Sequence, residues 1–373
     1  MKPPIPVNEP LLNGNEKKYV TECIESGWIS SEGPFVRKFE ASMADYANRK
    51  HGVAVCNGTA ALELAVAALD LPPGSEVLVP SFTIISCVLA IVRRGCVPVL
   101  VDSDPVTWNM DAAQLESKIT PRTKAVMIVH IYGLPTDVDP VLEIAGRYGL
   151  KVIEDASEMI GQYYKDRPCG SFGDISTFSF YANKHVTTGE GGMVLTDDDA
   201  LAERCSLLRN LFFVPNRRYV HDELGFNFRM TNLQAAIGLA QIERLSELTE
   251  RKREIGRHYT ELLSDLPELQ LPLTSAPYAD NVYWVYGIVL HEEANLDAPE
   301  LQARLVDEGI ATRPFFWPMH EQPVFVRAGL FRGESYPVAE RLARRGFYIP
   351  SGMALTAEQR IRVAETLRSA IRA

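Results

Sequence analysis

The chain has 373 residues, 46% of them hydrophobic, with 38 Lys and Arg against 48 Asp and Glu for a formal charge of −10. That length and apolar content bury a large core and suit two domains better than one, while the acidic balance disfavours broad binding to nucleic acid or anionic membranes. The six cysteines show no C-x-x-C pair or metal spacing, the N-terminus lacks the apolar core of a secretion signal and no run is long enough to span a bilayer, so a soluble cytoplasmic protein with reduced thiols, no metal and no membrane anchor is expected.

After an extended, proline-rich start, residues 13–26 and 33–47 carry helical apolar spacing, separated by the loop G-W-I-S-S-E-G-P. On residue types alone, Trp28 and Ser30 in that loop form a turn with a packed aromatic. Next, V-A-V-C-N-G-T-A-A-L-E-L reads as a strand that breaks at Asn57-Gly58 and enters a helix near Thr59. The free N–H groups of a helix start and the threonine hydroxyl make a phosphate cradle without any basic side chain, although an ordinary N-cap has the same text.

Apolar strands over 76–79, 96–101, 123–128 and 151–154 then alternate with helical segments over 84–93, 111–118 and 138–148, which argues for a mostly parallel sheet covered by helices on both faces. V-I-E-D-A-S-E-M-I-G ends a buried strand with adjacent carboxylates, and alternation points only one of them into the crevice at the sheet end. Asp155 is the one expected there, against the plainer reading of a strand-end Asp in a turn.

The stretch S-T-F-S-F-Y-A-N-K-H-V-T-T-G-E-G-G-M-V-L-T, 176–196, runs from an aromatic strand into a polar turn, then through three glycines into a second strand. Lys184 sits in that turn. A lysine between two buried strands is costly unless its charge is paired or removed, and a Schiff base removes it. His185 next to it reads as a neighbour pointing the other way.

Residues 211–234 form a long polar and aromatic connection that ends in a helix. A long amphipathic helix is expected over 232–263, crossing from a first domain, 1–250, into a second, 251–373. Beyond it, periodic segments at 281–290, 299–308, 310–313, 338–344 and 357–371 describe a small α+β unit. Within this unit R-P-F-F-W-P-M-H reads as a core aromatic cluster beside an exposed histidine.

Taken in order, Asp155, Ser179, N-K followed by T-T-G-E-G-G, and G-F-N-F-R-M-T-N resemble the DegT/DnrJ/EryC1/StrS family of pyridoxal-phosphate-dependent nucleotide-sugar aminotransferases, over nearly the whole chain. Within the family the text is most similar to the members that form GDP-perosamine. The resemblance implies an α/β fold, the type I aminotransferase fold, with a large mostly parallel mixed sheet and a smaller C-terminal α+β domain. It implies pyridoxal 5′-phosphate in Schiff-base linkage to Lys184, cycling through pyridoxamine phosphate, with Asp155 on the pyridine nitrogen.

By the same resemblance Gly58, Thr59, Ala60 and Ser179 hold the phosphate. Ile84 lies over the ring, where relatives carry an aromatic, and Glu158 lies near the ring hydroxyl. Asn227 reaches the partner's phosphate across a homodimer with shared sites. Arg229 and Arg218 are candidates for anion contacts. Trp28 and Ser30, and Arg313, Trp317 and His320, face the sugar, Trp317 standing where relatives often carry His or Tyr. The implied reaction moves the amino group of glutamate to GDP-4-keto-6-deoxymannose, for surface polysaccharide such as O-antigen. A 3- or 4-keto sugar on dTDP or UDP is the alternative substrate, and a sugar dehydratase or a non-catalytic regulator the alternative function.

Overall fold

The computed structural model describes residues 3–214, 216–217 and 219–372; Arg218 falls outside them. Seven strands build the main sheet: β1 (His51–Val55), β2 (Glu76–Pro80), β3 (Val97–Val101), β4 (Thr123–Val129), β5 (Lys151–Asp155), β6 (Ile175–Ser179) and β7 (Gly192–Thr196). They lie side by side as β1-β7-β6-β5-β4-β2-β3, and β7 alone runs opposite to the other six. The expected mostly parallel mixed sheet is therefore present. Its strands read as continuous Val, Ile and Leu because both faces are covered.

Helices α1 (Glu16–Ser26), α2 (Pro34–Tyr46), α3 (Gly58–Ala68), α4 (Ile85–Arg93), α5 (Val138–Tyr148), α6 (Asp199–Arg209) and α7 (Asn232–Ile242) supply that cover. Of these, α3 is buried almost throughout, and its alanines let it lie close to β6, β7 and α4. The long α8 (Leu245–Leu263) then carries the chain to a second sheet of β8 (Leu269–Gln270), β9 (Tyr286–Leu290), β10 (Arg313–Pro314) and β11 (Gly346–Ile349), ordered β8-β9-β11-β10 and antiparallel throughout. Helices α9 (Ala298–Asp307), α10 (Pro323–Arg327), α11 (Pro337–Arg345) and α12 (Ala357–Arg372) complete this unit.

Several expected elements differ in detail. The helix expected over 232–263 is two, α7 and α8, because Arg244 leaves helical geometry at φ −115°, ψ 18°. Neither Gly nor Pro marks that break. Residues 111–118 form two short 3₁₀ turns in place of a helix, the first capped by the Asp111 carboxylate, which accepts from the Ala113 N–H at 3.0 Å. Of the periodic segment 281–290 only Tyr286–Leu290 is strand: Asn281 Oδ1 accepts from the Tyr283 N–H at 2.6 Å, and Tyr283 has a φ of 52° that no strand tolerates. Of the periodic segment 310–313, Ile310 makes an isolated bridge to Ile5 and β10 starts only at Arg313.

This topology sets the ends of β4, β5 and β6 beside the start of α3, the crevice outside the carboxyl ends of parallel strands where ligands of such sheets bind. The N-terminal segment lies against the C-terminal unit, with Ile5 bridged to Ile310 and Val7 O accepting from the Ser351 N–H at 3.0 Å.

Candidate active site

A cavity of about 660 Å³ opens at those strand ends. One wall is the start of α3. Asn57 caps it, its side-chain oxygen accepting from the Ala60 N–H at 2.8 Å, and the N–H groups of Gly58 and Thr59 precede the first intrahelical bond. Three hydroxyls gather there, Thr59, Ser86 at the start of α4, and Ser179 at the end of β6; the Thr59 and Ser86 oxygens are 2.7 Å apart. Free N–H groups, hydroxyls and the positive end of a helix dipole fit a phosphate dianion.

The glycines make the approach possible. A Cβ on Gly58 would lie 2.6 Å from Ser179 Cβ, and one on Gly192 2.5 Å from Asn57 O. Any side chain at either position drives α3 away from the sheet.

Opposite the cradle, Asp155 closes β5, buried, one carboxylate oxygen accepting from the Ser157 N–H at 3.0 Å and the other from the Cys87 thiol at 3.4 Å. Burial, then the charge of Asp155, holds the Cys87 thiol well above its ordinary range, so it stays a neutral donor. Adjacent Glu154 points to the other face, as alternation requires, accepting from the N–H groups of Gly170 and Phe172 at 2.7 and 2.8 Å. It also binds His130. Because His130 Nδ1 accepts from the Thr136 N–H at 3.0 Å, its Nε2 carries the proton and donates to Glu154 at 3.0 Å.

The Lys184 side chain is 9% exposed, its Nζ 3.9 Å from Glu158 Oε1 and 3.6 Å from the centroid of the Trp284 ring. Burial lowers its proton affinity below the usual lysine range, with Glu158 and Asp155 acting in the other direction. Burial also pushes the Glu158 carboxyl up to about 8, opposed by Lys184 and by the hydrogen bond from the Tyr132 N–H at 2.7 Å. Tyr132 presents that N–H from a left-handed backbone, φ 56°, rare for a bulky residue and typical of functional turns.

His185 turns away from the cavity. Its Nδ1 donates to Ile160 O at 3.0 Å, and burial first, then nearby Lys252, hold the ring neutral with a pKa of about 3.

The structure thus brings together Gly58, Thr59, Ala60, Ile84, Asp155, Glu158, Ser179 and Lys184 around one cavity. Ile84 lines the cavity and is 42% exposed. Trp28, Ser30, Asn227, Arg229, Arg313, Trp317 and His320 are not among the described residues that line it.

The reasons are local. The backbone oxygens of Trp28 and Ser30 are bound by Asn232 at 2.6 and 3.0 Å, leaving the indole half exposed. Phe228 lines the cavity, so Asn227 and Arg229 on either side of it point elsewhere, and the Arg229 guanidinium donates to Asn227 Oδ1 at 2.8 Å. Arg313 and Trp317 lie exposed. His320, expected exposed, is buried between Ser81 and Glu340, with contacts of 3.0 and 3.1 Å, and ties the C-terminal unit to the end of β2.

Sequence reasoning missed Ser86, His130, Trp284, Phe316 and Tyr348, all of which line the cavity. Only Ser86 carried a signal, a hydroxyl where a helix starts after a strand.

The sequence signature of the DegT/DnrJ/EryC1/StrS aminotransferase family matches residues 10–368. The chain is 46% identical over 355 residues to a GDP-perosamine synthase of Caulobacter vibrioides, covering 95% of each protein. It is 42% identical over 363 residues to a GDP-perosamine synthase of Escherichia coli O157:H7, covering 97% of each. Among solved structures it superposes on DesV of S. venezuelae with a TM-score of 0.92 and 33% identity, covering 100% of both chains. With a buried lysine, a strand-end aspartate and a phosphate cradle converging at the sheet end, the chain belongs to the DegT/DnrJ/EryC1/StrS aminotransferase family.

Proposed function

We propose that this protein moves the amino group of glutamate to a nucleotide-linked keto sugar, with GDP-4-keto-6-deoxymannose as substrate and GDP-perosamine as product. The observation that carries the reading is the buried Lys184 amine facing Asp155 and Glu158 across from the start of α3, in a chain that shares 46% and 42% of its residues with two GDP-perosamine synthases. Pyridoxal phosphate, when bound, supplies the electron sink and carries the amino group from one substrate to the other.

The rest is the work of this chain. Gly58 and Thr59 offer N–H groups to the phosphate, Ala60, its own N–H held by Asn57, lines the same helix start, and Thr59, Ser86 and Ser179 offer hydroxyls. Asp155 would hold a proton on the pyridine nitrogen and Glu158 would stand by the ring hydroxyl, both carboxyls lining the cavity. Ile84, which lines the cavity, would cover one ring face by dispersion. Lys184 Nζ takes the proton from the α-carbon of glutamate and, in the second half-reaction, delivers one to the sugar carbon that bore the ketone. The lowered proton affinity of that amine favours a lysine acting as base near neutral pH.

We read the chain as two units, 1–250 and 251–373, acting as a homodimer. Asn227 of one protomer contributes to the phosphate site of the other. Arg229, Trp28, Ser30, Arg313, Trp317 and His320 are proposed to contact or frame the sugar nucleotide. The aliphatic Ile84 and the indole of Trp317 favour a second reading, a 3- or 4-keto sugar on dTDP or UDP. The experiment is to incubate the holoenzyme and glutamate with each nucleotide keto sugar in turn, identifying products by mass and NMR. Amine transfer to the GDP sugar alone is the expected result; transfer only to a dTDP or UDP sugar replaces the first reading with the second.

A further inference from the structure

The two peptide carbonyls immediately before Lys184 are both held from outside the seven-stranded sheet. Asn8, in the N-terminal segment that lies on the C-terminal unit, donates its amide to Ala182 O at 3.0 Å. The Trp284 indole N–H, from the segment leading into β9, donates to Asn183 O at 3.0 Å. Between them the turn closes through the Lys184 N–H to Tyr181 O at 2.9 Å.

The same indole turns its face to the amine, with Lys184 Nζ 3.6 Å from the ring centroid. One side chain therefore grips the lysine at the backbone before it and at its far end. Trp284 is itself fixed, 5% exposed, with its ring 5.9 Å from that of Tyr132.

We propose that Trp284 is a positioning residue for Lys184, through which the seating of the C-terminal unit sets where the reacting amine lies. The inference deepens the aminotransferase reading and rests on it. A lysine side chain has four rotatable bonds, so an amine left to itself in a cavity of about 660 Å³ samples many positions. The ring face closes off one side of the space the amine can sweep, whichever its protonation state, and holding so long a side chain in one arrangement is worth roughly tenfold or more in an equilibrium. The indole N–H adds a bond that fixes the plane of the Asn183–Lys184 peptide. A residue that only fills space between Tyr132 and β9 needs neither feature.

The test compares Trp284→Leu, which loses ring face and donor, Trp284→Phe, which keeps a face but loses the donor, and Phe315→Leu. Phe315 is a buried aromatic packed on Tyr132, with ring centroids 4.7 Å apart, and is not among the cavity-lining residues. Each cofactor-free protein is mixed with pyridoxal phosphate, and attachment to Lys184, in which the amine nitrogen joins the aldehyde carbon with loss of water, is followed by absorbance. Borohydride trapping and peptide mapping locate the label. Thermal midpoints are recorded in parallel.

The expected result is attachment slowed about tenfold or more by Trp284→Leu, through the rotamer freedom the amine regains, a few-fold by Trp284→Phe, and unchanged by Phe315→Leu although its midpoint falls. Equal slowing by Trp284→Leu and Phe315→Leu at equal loss of stability overturns the inference, because packing alone then explains it. So does a wild-type rate in Trp284→Phe together with a wild-type rate, or a failure to fold, in Trp284→Leu. A labelled wild type with indifferent variants overturns this inference alone; a wild type with no label at Lys184 overturns the aminotransferase reading and this inference together.

Discussion

At Glu158 burial works against charge, raising the carboxyl to about 8 from an ordinary 4.5, so the cofactor-free protein holds a proton there at neutral pH. A folded-state pKa raised this far contributes stability that is fully present below 4.5 and is lost as pH rises through about 8. Glu158→Gln keeps an oxygen for the Tyr132 N–H while removing the titration. Denaturant unfolding across this window should show the wild type losing stability relative to Glu158→Gln, by at most about 1.4 kcal/mol per pH unit. A parallel pair of curves would mean that Glu158 is ionised throughout. Lys184→Ala should remove covalent cofactor attachment and lower kcat by about 10² to 10⁴-fold, the usual contribution of a placed proton carrier, as read in the glutamate half-reaction. These residues were legible in the chain because neighbours along it define them: a glycine-rich turn for Lys184, a strand end for Asp155, a helix start for Thr59. Trp284 and Tyr348 were not, since their role comes from folding distant segments onto the turn, and alone each reads as a core aromatic.

Among the elements, α3 brings Gly58, Thr59, Ala60, Leu62 and Glu63 to the cavity and is packed tightly against the sheet. Its first residue touches β6 with no side chain between them, and nearly all its later residues are buried. Gly58→Ala puts a methyl 2.6 Å from Ser179 Cβ, where neither backbone can yield without carrying its strand or helix with it. Overpacking of this kind costs about 1–3 kcal/mol. The same displacement parts the Thr59 hydroxyl from that of Ser179. Equilibrium dialysis should show a marked loss of pyridoxal phosphate affinity, and a thermal scan a lower midpoint; retention of wild-type affinity would place the phosphate elsewhere. That strand, turn and helix could be read from residue order because a buried strand, Asn-Gly and an alanine-rich run each have one common interpretation. The division of α7 from α8 could not. The apolar period continues across Glu243 and Arg244, and what breaks the helix is the direction each half must take to pack, α7 on α1 and α2, α8 on α12.

Across the whole molecule, α8 is where the sheet that carries Lys184 meets the unit that carries Trp284. Arg251 donates to Met353 O at 2.7 Å, Tyr259 to Pro350 O at 2.8 Å, and between them Lys252, 2% exposed, donates to Ser351 O at 2.6 Å. The expected domain boundary near 250 thus falls within a helix bonded to the C-terminal unit from Arg251 onward. Burial alone pushes the Lys252 ammonium down to about 7. A lysine with so low a folded-state pKa weakens the protein while charged and gives the difference back as pH rises from about 7 towards its ordinary 10.5. The direction is opposite to that of Glu158. Lys252→Met keeps the length of the side chain and removes the charge, at the expense of the donor to Ser351 O. Unfolding measured between pH 7 and 10 should therefore show wild-type stability rising relative to Lys252→Met, with a slope of at most about 1.4 kcal/mol per pH unit. If the difference between the two proteins does not change over that interval, Lys252 titrates at its ordinary value, and the joint between the units admits more water than its 2% exposure implies.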